Sequence, residues 1–186
     1  MLVLASSSPR RSELLKMAGY DFIAAPTYAD ESYAEGTAPP TIVEQLAAKK
    51  AEAAFRLNPQ DTVLGADTLV VFAEQILGKP KNREDAKSIL RLLSGNVHQV
   101  YTGYCIFTST GSVRGHESTS VEFYPLSEAE IEAYLDTGEP MDKAGAYGIQ
   151  GRGALLVKRI EGDFYNVMGL PIGKINQILH EKLNVK

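Results

Sequence analysis

The most constraining feature of this chain is a pair of long segments of strand character, residues 97–107 and 113–124, separated only by a turn at 109–112. Such a pair reads as a hairpin, which demands antiparallel neighbours. Shorter apolar runs at 2–5, 21–25 and 62–65 are each separated from the next by a segment of helical character. Strands joined through helices need crossover connections and parallel pairing. Hairpin and crossovers together predict an α/β fold built on a mixed β-sheet flanked by helices.

Punctuation residues place the helices. Ser8 stands before Pro9, a helix start with Ser8 as N-cap. Leu14, Leu15 and Ala18 then form an apolar face, and Gly19 is a stop. After a loop over 26–40, Thr41 is read as the cap of a helix to about Leu57, with Ile42, Val43, Leu46, Ala53 and Ala54 turned inward. Residues 57–61 and 74–78 have turn composition. A helix over 82–93 buries Ala86, Ile89, Leu90 and Leu93 and stops at Gly95. Ser127 and Glu130 fit a capping box with Leu126 and Ile131 as its staple, opening a helix to about Leu135. Residues 137–153 resemble no regular element, 155–160 read as a strand, and Pro171 starts a last helix with Ile172, Ile175, Ile178 and Leu179 on one face. One domain over 1–186, with two lobes around a cleft, is the economical organisation for a chain of this length.

Charge narrows the function. The net charge is −4, so nothing in the balance draws the chain toward nucleic acid or an anionic membrane. Affinity for phosphate must come from a local cluster of cations. The single cysteine, Cys105, lies in an apolar run and reads as a core thiol. Neither a signal-peptide core nor an apolar stretch of the roughly 20 residues needed to span a bilayer is found, so the expected place is the cytoplasm.

Four segments carry chemistry. In Ser6-Ser7-Ser8-Pro9-Arg10-Arg11, two arginines sit in a first helical turn, where the macrodipole favours anions. Serine hydroxyls, free backbone N–H groups and an arginine fork suit a phosphate there; the bland alternative is two solvated arginines. In Val63-Leu64-Gly65-Ala66-Asp67-Thr68-Leu69-Val70-Val71, a carboxylate is enclosed by apolar residues. Such a group must be paired, hydrated in a cleft, or bound to a metal. Asp67, read at a strand end, is the candidate general base; the alternative is an aspartate in a turn between two strands. Lys79, in a Gly-Lys-Pro loop, is a weaker signal, as are Lys49 and Lys50, which point about 100° apart on their helix so that one can reach a cleft while the other stays solvated. Last, residues 139–153 hold four glycines in nine positions, neither a Walker A loop nor a dinucleotide fingerprint. His98, His116 and His180 have no metal-site spacing.

Taken in order, Leu4-Ala5-Ser6-Ser7-Ser8-Pro9-Arg10-Arg11, Gly65-Ala66-Asp67-Thr68, Gly78-Lys79-Pro80, Leu92-Leu93-Ser94-Gly95, Lys143-Ala144-Gly145-Ala146-Tyr147-Gly148-Ile149-Gln150-Gly151 and Val167-Met168-Gly169-Leu170-Pro171 resemble the Maf family of nucleotide pyrophosphatases over nearly the whole chain. The resemblance implies an elongated mixed-sheet fold similar to that of inosine triphosphate pyrophosphatases. It also implies a divalent-cation-dependent hydrolase with Asp67 as catalytic proton acceptor. Arg10, Thr68 and Gln150 match the branch that takes thymidine and uridine triphosphates, and a homodimer is typical of such proteins. The expected reaction converts dTTP and UTP, with modified pyrimidine nucleotides as further candidates, to monophosphate and pyrophosphate. In that scheme Ser6, Ser8, Arg11, Lys49 and Lys79 hold the triphosphate, and Mg²⁺ or Mn²⁺ bridges it to Glu31, Asp67 or both. A nucleotide-binding regulator without turnover and a phosphotransferase are the rival readings. The intact Asp67 argues against the first, and the lack of a Walker A or kinase motif argues against the second.

Overall fold

A computed structural model describes residues 1–183, with side chains to residue 180. Among the described residues, seven strands and six α-helices follow in the order β1 (Leu2–Leu4), α1 (Pro9–Met17), β2 (Phe22–Ala24), α2 (Pro39–Leu57), β3 (Thr62–Phe72), β4 (Gln75–Leu77), α3 (Arg83–Leu93), β5 (Val97–Thr108), β6 (Gly111–Phe123), α4 (Glu128–Leu135), β7 (Val157–Glu161), α5 (Phe164–Met168) and α6 (Ile172–Leu183). The strands form one sheet in the order β2-β1-β3-β5-β6-β7, with β4 added on β3. β1 runs parallel to both β2 and β3, whereas β3–β4 and β6–β7 are antiparallel. The mixed α/β sheet read from the hairpin and the crossovers is therefore the one observed.

The chain divides into two compact units. The first comprises Met1–Asp67, Thr102–Glu117 and the segment from Gly169 onward; the second comprises Thr68–Tyr101 and Ser118–Met168. In the first, Val3, Ala5, Val63 and Cys105 pack against Ala47, Ala51 and Ala54 of α2, and Phe55 stacks on Phe107 with ring centroids 5.4 Å apart. Burial pushes the Cys105 thiol up to about 11, as expected of a core residue. Gly65 lets α2 come close: a Cβ there would lie 2.4 Å from the Ala47 carbonyl oxygen and 2.7 Å from the Ala51 nitrogen.

In the second unit, Leu90 and Leu93 of α3, Ile131 and Leu135 of α4, and Val100, Val121 and Phe123 of the sheet share one core. Helices α3 and α4 are laced together outside that core. Arg83, Lys87 and Arg91, four residues apart, face Asp136, Glu132 and Glu128 in an antiparallel ladder of ion pairs. Hydrogen bonds from Arg91 hold the Glu128 carboxyl down to about 2.

Several boundaries differ from the sequence reading, each for a local reason. β3 does not stop before Asp67 but continues through it to Phe72, because Leu69, Val70 and Val71 sustain the strand and Asp67 has a cationic partner. The segment 74–78 is largely strand β4: Ala73 and Glu74, both at positive φ (47° and 67°), make a two-residue turn that matches the sheet twist. Helix α2 starts at Pro39 with Ala38 as N-cap, so Thr41 lies inside its first turn and caps nothing. Ala18 is exposed, while Leu14 and Leu15 are buried as read. Residues 151–155 form a 3₁₀ turn and β7 begins only at Val157. The short helix α5 has no strong cap in the sequence and was not anticipated. The hairpin, the Ser127–Glu130 capping box and the apolar face of the last helix are as expected.

One core residue makes stability depend on pH. His98 is buried, with Nε2 2.7 Å from the Tyr147 hydroxyl and its ring edge-on to Phe123 and Tyr147. Burial pulls its pKa from 6.5 down to about 4. The folded state therefore resists a proton that the unfolded chain accepts. The stability involved is present above pH 6.5 and lost as pH falls toward 4, up to roughly 3 kcal/mol. Urea unfolding at pH 7 and pH 4.5 should show this loss, and His98→Gln should have a shallower dependence over the same interval.

Candidate active site

The end of β1 begins the site. Ala5 still joins the sheet through its N–H to the Leu64 carbonyl (2.8 Å), after which the chain turns into α1. Pro9 opens that helix with Ser8 as N-cap, but the Ser8 hydroxyl makes no capping bond. The organising hydroxyl belongs to Ser6. It is buried, and its Oγ accepts from the Ser8 N–H (3.2 Å) and from Arg11 Nη1 (3.0 Å). Arg11 also donates from Nε to the Gly169 carbonyl (2.8 Å) and is only 8% exposed. Burial lowers the Arg11 pKa below the usual guanidinium value, and the field of the Asp67 carboxylate opposes that shift. Arg11 is thus a fixed internal cation, while Arg10 is half-buried on the same turn.

Asp67 projects from the middle of β3. Gly65 precedes it by two residues and shares its face of the strand. The close approach of α2 at Gly65 therefore delivers α2 side chains to Asp67. The one that arrives is Lys50, whose Nζ lies 2.5 Å from Asp67 Oδ1 and 2.7 Å from Glu31 Oε1. The Lys50 and Asp67 side chains are 14% and 13% exposed, so their pairing is shielded from water. Glu31 comes from the loop between β2 and α2. Lys49 holds the same loop from outside, donating to the Ser32 carbonyl (2.7 Å) and standing 3.5 Å from Asp30. The loop is further shaped by Asp30, which accepts from the Ser32 N–H and hydroxyl.

The first unit thus brings together Ser6, Arg11, Glu31, Lys50 and Asp67, with Ser8 at the same turn. Of the two successive lysines, Lys50 and not Lys49 meets the carboxylates. The sequence carries a signal for this. Lys50 falls among Ala47, Ala51 and Ala54, the small residues that mark the closely packed stripe of α2, and Lys49 lies off it.

The remaining candidates lie in the second unit. Thr68 follows Asp67 on β3 and is half-buried. Lys79 is exposed in the segment after β4, where the Gly78 carbonyl accepts from the Gly145 N–H (3.1 Å). Gln150 is exposed at the N-cap of the 3₁₀ turn Gly151–Leu155, and its side chain makes no capping bond. Around it stand two residues the sequence reading missed. The Glu139 carboxylate accepts from the N–H groups of Arg152 (3.0 Å) and Gly153 (3.3 Å), and the Tyr134 hydroxyl accepts from the Gly148 N–H (3.1 Å). Burial, with Glu139 and Asp142 adding negative field, pushes Tyr134 up to about 12, so it remains a neutral phenol. No clear signal identified them, because both bond to backbone, which spacing does not reveal.

Among the described residues no group of three or more histidine, cysteine, aspartate or glutamate side chains is gathered for a metal, and no helix is long and apolar enough to cross a membrane.

An acid flanked by fixed cations on a mixed α/β sheet defines a class of protein suited to anionic substrates. The family follows from comparison. The model of the Maf-like protein family matches residues 1–182, and the chain belongs to that family. It is 52% identical over 173 residues to a dTTP/UTP pyrophosphatase of Geobacillus sp. (strain WCH70), covering 93% of each chain. It is 49% identical over 178 residues to a dTTP/UTP pyrophosphatase of Symbiobacterium thermophilum, covering 96% of this chain and 92% of that one. Among solved structures, the Ham1 protein of Staphylococcus aureus matches with a TM-score of 0.49 at 18% identity, over 67% of this chain and 72% of that one.

The Lys50–Asp67 pair should be measurable as a coupling. Removing Lys50 leaves a shielded carboxylate with one fewer cation, so Lys50→Ala should cost about 1–3 kcal/mol of stability. In a double-mutant cycle with Asp67→Ala, the combined loss should fall short of the sum of the single losses by at least about 0.5 kcal/mol. Strict additivity in urea unfolding would show the two side chains to be energetically independent.

Proposed function

We propose that this chain is a nucleoside triphosphate pyrophosphatase that hydrolyses dTTP and UTP, and modified pyrimidine nucleotides of like shape, to the monophosphate and pyrophosphate. The observation that carries the reading is the Asp67 carboxylate, enclosed in a strand yet held against Lys50 with the Arg11 guanidinium buried nearby. Relatives of about 50% identity bearing the name dTTP/UTP pyrophosphatase support the substrate class.

In this mechanism Ser6, Ser8, Arg10 and Arg11 present donors at the start of α1 to the triphosphate. Lys49, Lys50 and Lys79 add positive charge around it. Asp67 accepts a proton from water as the water oxygen bonds to the α-phosphorus. The bond from that phosphorus to the bridging oxygen breaks, and pyrophosphate carries the electron pair away. Positioning and charge neutralisation supply most of the acceleration for such a step.

The residues also fit a divalent cation. Glu31 and Asp67 are hard oxygen ligands that converge on one point, the place the Lys50 ammonium holds and such an ion would take over. Bound there, Mg²⁺ or Mn²⁺ would neutralise charge developing on the phosphate oxygens. Gln150, with Thr68 and Arg10, selects the base. Its amide can accept from N3–H and donate to O4 of uracil or thymine, which cytosine cannot match in the same orientation. The substrate is a free nucleotide, not a nucleic acid or a membrane, and the enzyme works as a single domain over 1–186 in the cytoplasm, with a homodimer as its assembly.

Two outcomes are expected from pyrophosphate release measured over a nucleotide panel with Mg²⁺ or Mn²⁺. Wild-type protein should act on dTTP and UTP, and Asp67→Asn should retain binding while losing ~10²–10⁴-fold in rate. Near wild-type turnover in that variant would remove Asp67 from the chemistry. Gln150→Ala should lower the ratio of UTP to CTP turnover; an unchanged ratio would remove Gln150 from base selection.

A further inference from the structure

The loop that carries Gln150 is held by side-chain acceptors on both sides of that residue. We propose that Glu139 and Tyr134 are positioning residues that fix the Gln150 backbone, so that its side chain meets the base in one orientation. The inference rests on the assignment of Gln150 to base selection given above.

The two contacts bracket Gln150. Two residues before it, the Gly148 N–H donates to the Tyr134 hydroxyl. Two and three residues after it, the N–H groups of Arg152 and Gly153 donate to Oε1 and Oε2 of one Glu139 carboxylate. These are two of the amides that a 3₁₀ turn leaves without a partner at its start. An ionised carboxylate with one oxygen for each is a strong acceptor for both. The loop is also closed upon itself. A Cβ on Gly153 would lie 1.9 Å from the Gly148 carbonyl oxygen, so only glycine permits the two ends to meet. Glu139 is held in turn by Lys143, whose Nζ donates to the Glu139 carbonyl (2.6 Å). Ile149 is buried beside Gln150 and fixes which way the chain faces.

The result is a backbone held on both sides of one exposed amide side chain. On a loose loop the whole side chain would shift with the backbone and could set either end of its amide opposite uracil or cytosine alike. Discrimination between them requires that the acceptor and donor ends stay in place, and polar groups held in place reject a mismatched partner far better than mobile ones. Glu139 touches no substrate in this account; it acts through Gln150.

The test uses the full chain and compares kcat/KM for UTP and CTP in wild type, Gln150→Ala, Glu139→Ala and the double variant. Wild type should prefer UTP, and Glu139→Ala should reduce that preference at least tenfold, with KM for UTP rising more than kcat falls. In the Gln150→Ala background the same change should alter the preference less than twofold. A purely structural role would instead lower turnover of both nucleotides alike. Glu139→Gln, which keeps the volume but presents an amide donor to one of the two N–H groups, and Tyr134→Phe, which removes the Gly148 acceptor, give the answer if Glu139→Ala does not fold. An unchanged preference in the folded variants, or an equal fall with and without Gln150, overturns the proposal. Wild type that turns over UTP and CTP equally, or neither, overturns the reading of Gln150, and this inference with it.

Discussion

The pairing of Asp67 with Lys50 is the constraint on which the first unit is built. A carboxylate in the middle of a strand whose neighbours are Leu64, Ala66, Leu69 and Val70 is costly unless a cation neutralises it. That cation must come from a neighbouring element, and the element must approach closely. The alanines of α2 and Gly65 of β3 make the approach, with helix backbone atoms where a side chain on residue 65 would otherwise stand. The small residues of the Gly-Ala-Asp segment and the Ala-rich stripe of α2 are thus two sides of one arrangement. Stability and chemistry place the same demand on this part of the chain.

Around this pair the protein keeps its positive charge internal. A chain of net charge −4 exerts no long-range attraction on a nucleotide. It holds cations instead at short range: Arg11 buried against Ser6 and Gly169, and Lys50 between Glu31 and Asp67. Such groups lose little side-chain entropy when an anion arrives, because folding has already fixed them. The exposed cations of α3 are otherwise engaged, each facing a carboxylate of α4, and serve the packing of two helices.

How much of this was legible follows from the kind of interaction involved. Periodicity and caps are local, so the hairpin, the Ser127 capping box and the faces of α2, α3 and α6 could be read directly. Asp67 could be read because burying a charge among apolar residues is anomalous in any fold. Its position within β3 could not, since a strand running through a charge depends on a partner seventeen residues away in sequence. The choice between Lys49 and Lys50 was left open by helix geometry alone and was decided by which stripe of α2 meets the sheet. Thr41 misled because Pro39 and Pro40, preset to helical φ, start the helix earlier. Ser8 stands at the expected N-cap position, yet its hydroxyl makes no capping bond, and the Ser6 hydroxyl instead accepts from the Ser8 N–H and the Arg11 guanidinium.

The glycine-rich segment shows the opposite relation between sequence and structure. Four glycines in nine residues suggest freedom, but a Cβ on Gly148, Gly151 or Gly153 would run into other atoms: the Lys143 stem, the Glu139 carboxylate and the loop's own backbone. Glycine here is the residue that fits, and the resulting backbone is pinned by charge-assisted and phenolic hydrogen bonds. These partners are invisible to a motif, because a carboxylate that binds backbone N–H groups leaves no complementary side chain in the sequence. The same logic separates the two halves of recognition. In the proposed function, phosphate would meet fixed charge, which tolerates any nucleotide, whereas the base would meet an uncharged amide whose value lies only in its orientation. On that proposal selectivity would depend on residues that never reach the ligand, and could be lost while the chemistry proposed at Asp67 is untouched.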